Sequence, residues 1–199
     1  MQVLGLLGGV SSGKSLVAHH LAALGAVVFD ADQAAHEALR DPDVEVAIRA
    51  RWGDGVFDAG GRVDRAAVAE IVFGPSEEGF GDRRFLEALV HPRVERRFRK
   101  ELKQLAAARR PAAVLDAALL LEVGWDRLCN VLIFVDSPRA LRAERARARG
   151  WDARELALRE AVQWPLEQKR QRADFVIDNS GSITETRAQV ERLWRDLAG

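Results

Sequence analysis

Eight consecutive residues carry the clearest chemistry in the chain: Gly8-Gly9-Val10-Ser11-Ser12-Gly13-Lys14-Ser15. Two glycines five apart, followed by lysine and serine, match the phosphate-binding loop pattern. A glycine-rich turn lets backbone N–H groups converge on a concavity that holds phosphate oxygens. A helix starting inside the loop adds its unpaired donors and its dipole. Lys14 then supplies a mobile positive charge for β- and γ-phosphates, and the Ser15 hydroxyl is placed to ligate Mg²⁺. The expectation is an ATP site formed by Gly8, Gly9, Val10, Ser11, Ser12, Gly13, Lys14 and Ser15. A glycine/serine turn that binds nothing has no need of lysine and serine in this register.

Phosphoryl transfer also needs carboxylates and further cations. Phe29-Asp30-Ala31-Asp32 follows an apolar run, and ligands of parallel α/β sheets sit beyond the carboxyl ends of the strands. Asp32 is read as the group that orients or deprotonates the acceptor hydroxyl, or else as a helix cap. Asp30 is read as a substrate-site or metal-shell residue. Asp116 ends a third apolar run and is the other candidate for the Mg²⁺ shell; the alternative is a loop cap. Arg139, Arg142, Arg145, Arg147 and Arg149 crowd one stretch, with Arg142, Arg145 and Arg149 spaced to share a helix face. That run is either a solvated face or a mobile lid that brings guanidinium groups onto the transferring phosphate. With the loop upstream, the lid is preferred, with too few carboxylates nearby (Glu144, Asp152) to pair every arginine.

Five short apolar runs position these groups: Val3 to Leu7, Ala26 to Phe29, Ala113 to Leu115, Val131 to Val135 and Phe175 to Ile177. Runs apolar at every position suit strands covered on both faces. Leu16, Val17, His20, Leu21 and Leu24 repeat at three and four, and Gly25 stops that helix. The repeated strand–helix alternation predicts an α/β fold: a parallel sheet of about five strands, flanked by helices. Residues 34–110 interrupt the alternation and read as a helical sub-domain on the sheet's rim, with glycine-rich turns at Gly53 to Gly61 and Gly74 to Gly81. Residues 139–171 read as the lid, two helices broken at Gly150. The core is then 1–33 with 111–138 and 172–199, closed by an amphipathic helix near Thr184 to Leu197.

Lys plus Arg equals Asp plus Glu, 30 of each, so no basic excess advertises a nucleic-acid partner. The apolar runs are too short to span a bilayer, and the N-terminus lacks a basic region before its Gly-rich loop. Small-molecule partners, a cytoplasmic location, and a monomer or weak homo-oligomer are expected. Cys129 is the single cysteine; it reads as a buried, inert thiol. His91-Pro92 follows an amphipathic stretch and reads by itself only as a helix boundary. Trp151 and Trp164 read as packing residues.

Taken in order, GLLGGVSSGKS, FDADQAAHEAL, GRVDRAAVAEIVF, FLEALVHPRVERR, LDAALLLEVGW, the arginine segment and ADFVIDNSGS resemble the dephospho-CoA kinase family from end to end. Other P-loop kinases share the first segment without the HP or VIDNSG segments. The resemblance implies a P-loop nucleoside-kinase-like parallel sheet with residues 34–110 as a helical substrate-binding insertion and a lid, and transfer of the ATP γ-phosphate to the ribose 3′-hydroxyl of dephospho-CoA. It aligns Asp32 with the acceptor-activating aspartate, and Lys14 and Ser15 with the phosphate and Mg²⁺ residues. Arg145, Arg149 and Arg159 align with lid arginines, and His91 with the HP histidine on the substrate side. Ser11 replaces a usual glycine and Leu7 a usual threonine; Ala118 and Leu121 replace the proline and phenylalanine of a PLLFE segment. Position 11 is a free one in the general loop pattern, so activity is expected to survive the change. Two rivals remain: another small-molecule or nucleotide kinase of this fold, and a non-enzymatic nucleotide-binding module.

Overall fold

The computed structural model describes residues 1–72 and 77–198. Five strands form one parallel sheet: β1 (Gln2–Gly8), β2 (Val27–Asp30), β3 (Ala112–Asp116), β4 (Val131–Asp136) and β5 (Phe175–Asp178), in the order β2-β3-β1-β4-β5. Four of the expected runs lie inside these strands, and the run Ala26 to Phe29 enters β2 at Val27. The register carries the carboxyl ends into line: Leu6 pairs with Asp116, Asp30 with Asp116, Gly8 with Val135, and Asp136 with Asp178. Four strands therefore end on aspartate and the central one ends on the first glycine of the phosphate loop.

Two helices seal one face of the sheet. They are α1 (Lys14–Ala23) and α9 (Ile183–Ala198). Val17 and Leu21 of α1 join Val190 and Leu193 of α9 over Leu4, Leu6, Val114, Ile133, Val135 and Ile177. On the opposite face, a Cβ at Gly5 would lie 2.8 Å from the Cys129 sulfur and 2.8 Å from Leu132. Glycine at this point of β1 lets the loop before β4 pack against the strand.

The chain divides into two compact units, Met1–Ala31 with Leu102–Gly199, and Asp32–Glu101. The second unit is helical. It contains most of α2 (Ala31–Ala38), then α3 (Pro42–Trp52), α4 (Arg65–Val72) and the greater part of α5 (Glu77–Ala107). Val44, Ile48, Val68, Val72, Val90, Val94 and Phe98 are its buried residues on α3, α4 and α5. Between α3 and α4, Asp58 closes a tight turn by accepting the N–H groups of Gly60 and Arg62, each at 2.9 Å. Gly74 lies outside the described residues, and Gly81 is helical within α5 rather than part of a turn.

Two local expectations change. Pro92 does not end a helix; α5 continues through it. Proline there removes one backbone donor, and the Arg93 guanidinium reaches back to the Leu89 carbonyl at 2.6 Å. The burial of Val90, Val94 and Phe98 on either side holds the helix on course. The arginine-rich segment is three helices rather than two: α6 (Arg139–Ala148), α7 (Ala153–Ala161) and α8 (Leu166–Gln171). Gly150, with φ of 83°, makes the first break. Pro165 makes the second by opening α8 from an N-cap position.

Candidate functional site

The phosphate loop runs from the end of β1 into α1. Gly13 is the N-cap of α1, with a left-handed φ of 97°. A Cβ at Gly13 would come 2.0 Å from Asn179 Nδ2, so glycine is required by space as well as by φ. A Cβ at Gly9 would come 2.9 Å from an Arg142 nitrogen. Ser11 has a φ of 58°, in a region that non-glycine residues rarely adopt. Its side chain is buried and its hydroxyl oxygen has no hydrogen-bond partner. A glycine here would take this φ without strain.

Lys14 arches over the loop, its Nζ donating to the carbonyls of Gly8 at 3.3 Å and Gly9 at 3.1 Å. Ser15 is exposed in the first turn of α1. Asp30 and Asp116 are register partners at the ends of β2 and β3. A hydroxyl and two neighbouring carboxylates are oxygen donors of the kind Mg²⁺ takes. Among the described residues no three His, Cys, Asp or Glu converge on one point. Mg²⁺ bound to a nucleotide takes most of its shell from phosphate and water oxygens, so few protein ligands are needed.

The arginine segment is tied to the loop. Val10 packs with Ala146 of α6 and Leu156 of α7. Arg142 is 4% exposed. It donates to the carbonyls of Ser137 at 3.3 Å and Val10 at 3.4 Å, and pairs with the Glu160 carboxylate. Arg145 donates to the Ser12 carbonyl at 3.1 Å and the Asn179 carbonyl at 2.9 Å. The expected shortage of partners is thus not found at these two positions: Glu160 and backbone carbonyls satisfy them, while Asp152 instead caps α7 through the Glu155 N–H at 2.8 Å. Arg149 and Arg159 gather on Trp151, 5.9 Å and 4.1 Å from its ring centre, in cation–π range. Arg159 also bonds Glu155 at 2.7 Å. Trp164 is 41% exposed and is not the packing residue expected.

Asp32 and His91 belong to the helical unit. Asp32 is exposed in the first turn of α2, which begins at Ala31. It therefore lies inside the helix rather than at the cap position proposed as its alternative role. Its charge suits that end of the helix dipole. His91 is half-buried on α5; desolvation lowers its pKa, with Arg83 adding to the effect and Glu87 opposing it. The Cys129 thiol is pushed up to about 12 by burial, with Asp126 adding to the shift.

Residues the sequence did not single out hold the site together. Glu160 lies 18 positions from Arg142, too far for helical spacing to suggest the pair. Glu122 and Lys169 form another ion pair, at 2.9 Å, between the segment after β3 and α8. Asn179 lay in view within the VIDNSG segment, but nothing in its spacing indicated a bond to the loop.

The sheet order, the loop entering α1 and the acidic strand ends define a P-loop kinase. The chain belongs to the dephospho-CoA kinase family, whose model matches residues 2–185. A Symbiobacterium thermophilum protein named dephospho-CoA kinase is 41% identical over 203 residues, spanning 100% of this chain and 82% of that one. One of the same name from Geobacter sulfurreducens is 39% identical over 197 residues, spanning 98% of each. A crystal structure from Thermus thermophilus superposes with a TM-score of 0.84 at 34% identity, covering 100% of this chain and 98% of that one. A shikimate kinase from Acinetobacter baumannii, with a TM-score of 0.53 at 14% identity over 100% of this chain and 93% of that one, shares the fold alone.

Proposed function

We propose that this protein transfers the γ-phosphoryl group of ATP to the ribose 3′-hydroxyl of dephospho-CoA, giving CoA. The observation that carries the reading is the loop at the end of β1, with Lys14 arched over it, in a chain that belongs to this family over nearly its whole length. Residues Gly8 to Ser15 bind the phosphates through backbone N–H groups and the Lys14 ammonium. Asp32 accepts the proton of the attacking 3′-hydroxyl; its exposed carboxylate follows β2 by two residues. The hydroxyl oxygen attacks the γ-phosphorus as the bond to the β,γ-bridging oxygen breaks, and ADP leaves with that electron pair.

Ser15, with Asp30 or Asp116, would hold Mg²⁺, which when bound neutralises charge on the β- and γ-phosphates. Arg149 and Arg159 are assigned to the charge that spreads over the transferring group, and Arg145, held on the Ser12 and Asn179 carbonyls, acts on it from behind the loop. Residues 34–110 serve as the substrate-binding unit, with His91 and Asp30 on the substrate side. Residues 139–171 serve as the lid, and 1–33, 111–138 and 172–199 as the core. Among the described residues no helix is long and apolar enough to cross a membrane. A cytoplasmic monomer or weak homo-oligomer acting on small molecules fits the reading.

The test is ADP release from ATP with a panel of acceptors: dephospho-CoA, nucleoside monophosphates and shikimate. The expected result is turnover with dephospho-CoA and a product phosphorylated at the 3′ position. Preference for another acceptor would assign the site to a different small-molecule kinase; ATP binding without turnover on any would assign it to a nucleotide-binding module.

A further inference from the structure

We infer that Asn179, oriented by Thr186, is a positioning residue for the nucleotide site: it clamps the Ser12–Gly13 peptide so that the Gly13 N–H is held ready for phosphate. The inference rests on the phosphate-site reading of the loop.

The Ser12 carbonyl oxygen is surrounded by three donors: Asn179 Nδ2 at 2.8 Å, Ser137 Oγ at 3.0 Å and Arg145 Nη1 at 3.1 Å. They come from β5's end, β4's end and α6, outside the loop itself. The peptide is trans, so its N–H points opposite to its C=O. Fixing the carbonyl toward the three donors therefore fixes the Gly13 N–H away from them. Gly13 is the N-cap of α1, where the first backbone donors lack helical partners. A loop that must offer such donors gains from having their direction set before the ligand arrives.

The clamp has its own support. A carbonyl only accepts, so the Asn179 amide must turn its nitrogen to Ser12 and its oxygen to Thr186, whose hydroxyl donates at 2.8 Å. The Asn179 N–H is in turn fixed to the Asp136 carbonyl at 2.8 Å. The Asn179 carbonyl accepts from Arg145 Nη2 at 2.9 Å and, at 3.0 Å from Ser137 Oγ, shares that hydroxyl's single proton with the Ser12 carbonyl. Ser12, Ser137, Asn179 and Thr186 are all at most 6% exposed. Water cannot easily replace a lost member of a network buried this deeply. The space is shared as well, since any side chain at Gly13 would strike the Asn179 amide.

The test uses the full chain and ATP as the probe. Asn179→Asp keeps the shape and the acceptor for Thr186 but removes the donor to Ser12. Thr186→Val keeps the shape and removes only the hydroxyl that orients the amide. ATP affinity is read by calorimetry, with the thermal midpoint in the absence of ATP and the KM values for ATP and for dephospho-CoA. Asn179→Asp is expected to weaken ATP binding about tenfold or more, with Thr186→Val shifting it the same way by less. The KM for dephospho-CoA stays within about twofold, as only the nucleotide site is disturbed. Failure of the wild-type chain to bind ATP would overturn the phosphate-site reading and this inference with it. Wild-type binding with unchanged ATP affinity in both variants, whatever their thermal midpoints, would overturn the inference alone. An equal rise in both KM values would do the same, because it describes a general loss of structure.

Discussion

Lys169 and Glu122 form a buried ion pair that closes the end of the arginine-rich segment onto the sheet unit. The Lys169 side chain is 2% exposed, and its ammonium lies 2.9 Å from Glu122 Oε1, which also accepts the Trp164 backbone N–H at 2.6 Å. Gln163 offers the ammonium a second acceptor at 3.2 Å. Glu122 Oε2 is buried without a partner, so this carboxylate has few donors and depends on the lysine. Removing one member of such a pair strands the other charge.

Glu122→Gln is therefore expected to destabilise the protein by about 3 kcal/mol, the lower end for breaking a buried pair. Adding Lys169→Met to it should recover most of the loss, because the stranded ammonium goes too. Urea midpoints of the two single variants and the double variant check this. A double variant no more stable than Glu122→Gln would mean that packing, not charge, is what the pair supplies.

Ser11 invites the opposite experiment. Its φ of 58° strains a residue with a Cβ by about 1–2 kcal/mol. Its buried hydroxyl makes no hydrogen bond, which adds to the burden. Glycine relieves both and gives back about 0.5–1 kcal/mol through the greater freedom of the unfolded chain. Ser11→Gly is predicted to raise stability by about 1 kcal/mol and leave turnover within about threefold. Ser11→Val, with a branched side chain in the same conformation, should lose stability. A denaturation series in which glycine is no better than serine would show that the loop carries no strain at this point.

How far the sequence already revealed this arrangement depends on the range of the forces involved. The strands were legible because burial on both faces leaves a local mark, as in Val131 to Val135. The loop was legible because its chemistry requires a fixed spacing. What joins Arg142 to Glu160, or Asn179 to Ser12, is tertiary contact between residues 18 and 167 positions apart. No local period encodes such contacts. Pro92 misled for a related reason: proline's local preference marks a helix end, and burial of Val90, Val94 and Phe98 overrides it. Glu160 also removes part of the case for a lid sprung open by unpaired arginines, since Arg142 is already paired.

Asp32 tests the chemistry. Asp32→Asn keeps the shape and changes only charge and basicity. Since Asp32 lies within the first turn of α2 rather than at its cap, no cap is lost. Turnover is predicted to fall roughly 10²–10⁴-fold, the range for a positioned base. ATP affinity should stay within a few fold. Intact turnover in this variant would remove Asp32 from the reaction.

His91 gives the helical unit a pH dependence whose sign is fixed. Burial holds its pKa below the ordinary 6.5, so below that pH the unfolded chain binds more protons than the folded one. Stability is then fully present above about pH 6.5 and declines as the pH falls further. His20, also lowered mainly by burial, adds a second decline of the same sign. Urea midpoints at pH 7.5 and pH 5.5 should differ less in His91→Gln than in the wild-type chain. An equal difference would show that His91 titrates normally.

Trp151 reports on the arginines of the segment that are not bonded to the loop. Arg149 and Arg159 lie over its ring, whereas Arg142 and Arg145 are already committed to the loop. Phosphate offers a guanidinium fork-shaped, charge-assisted bonds that an aromatic face cannot match. Bound ATP should therefore draw Arg149 away from Trp151, and tryptophan emission should change on nucleotide addition. The chain has five tryptophans, so the signal is assigned by its loss in Trp151→Phe. Arg149→Ala should lower turnover about tenfold to a thousandfold while changing ATP affinity less, because the contact strengthens as charge develops on the transferring group. Arg147→Ala, on another face of α6, should change turnover by less than about threefold. Should Arg149→Ala and Arg147→Ala behave alike, and the emission stay constant, this end of the segment is a solvated basic surface and takes no part in transfer.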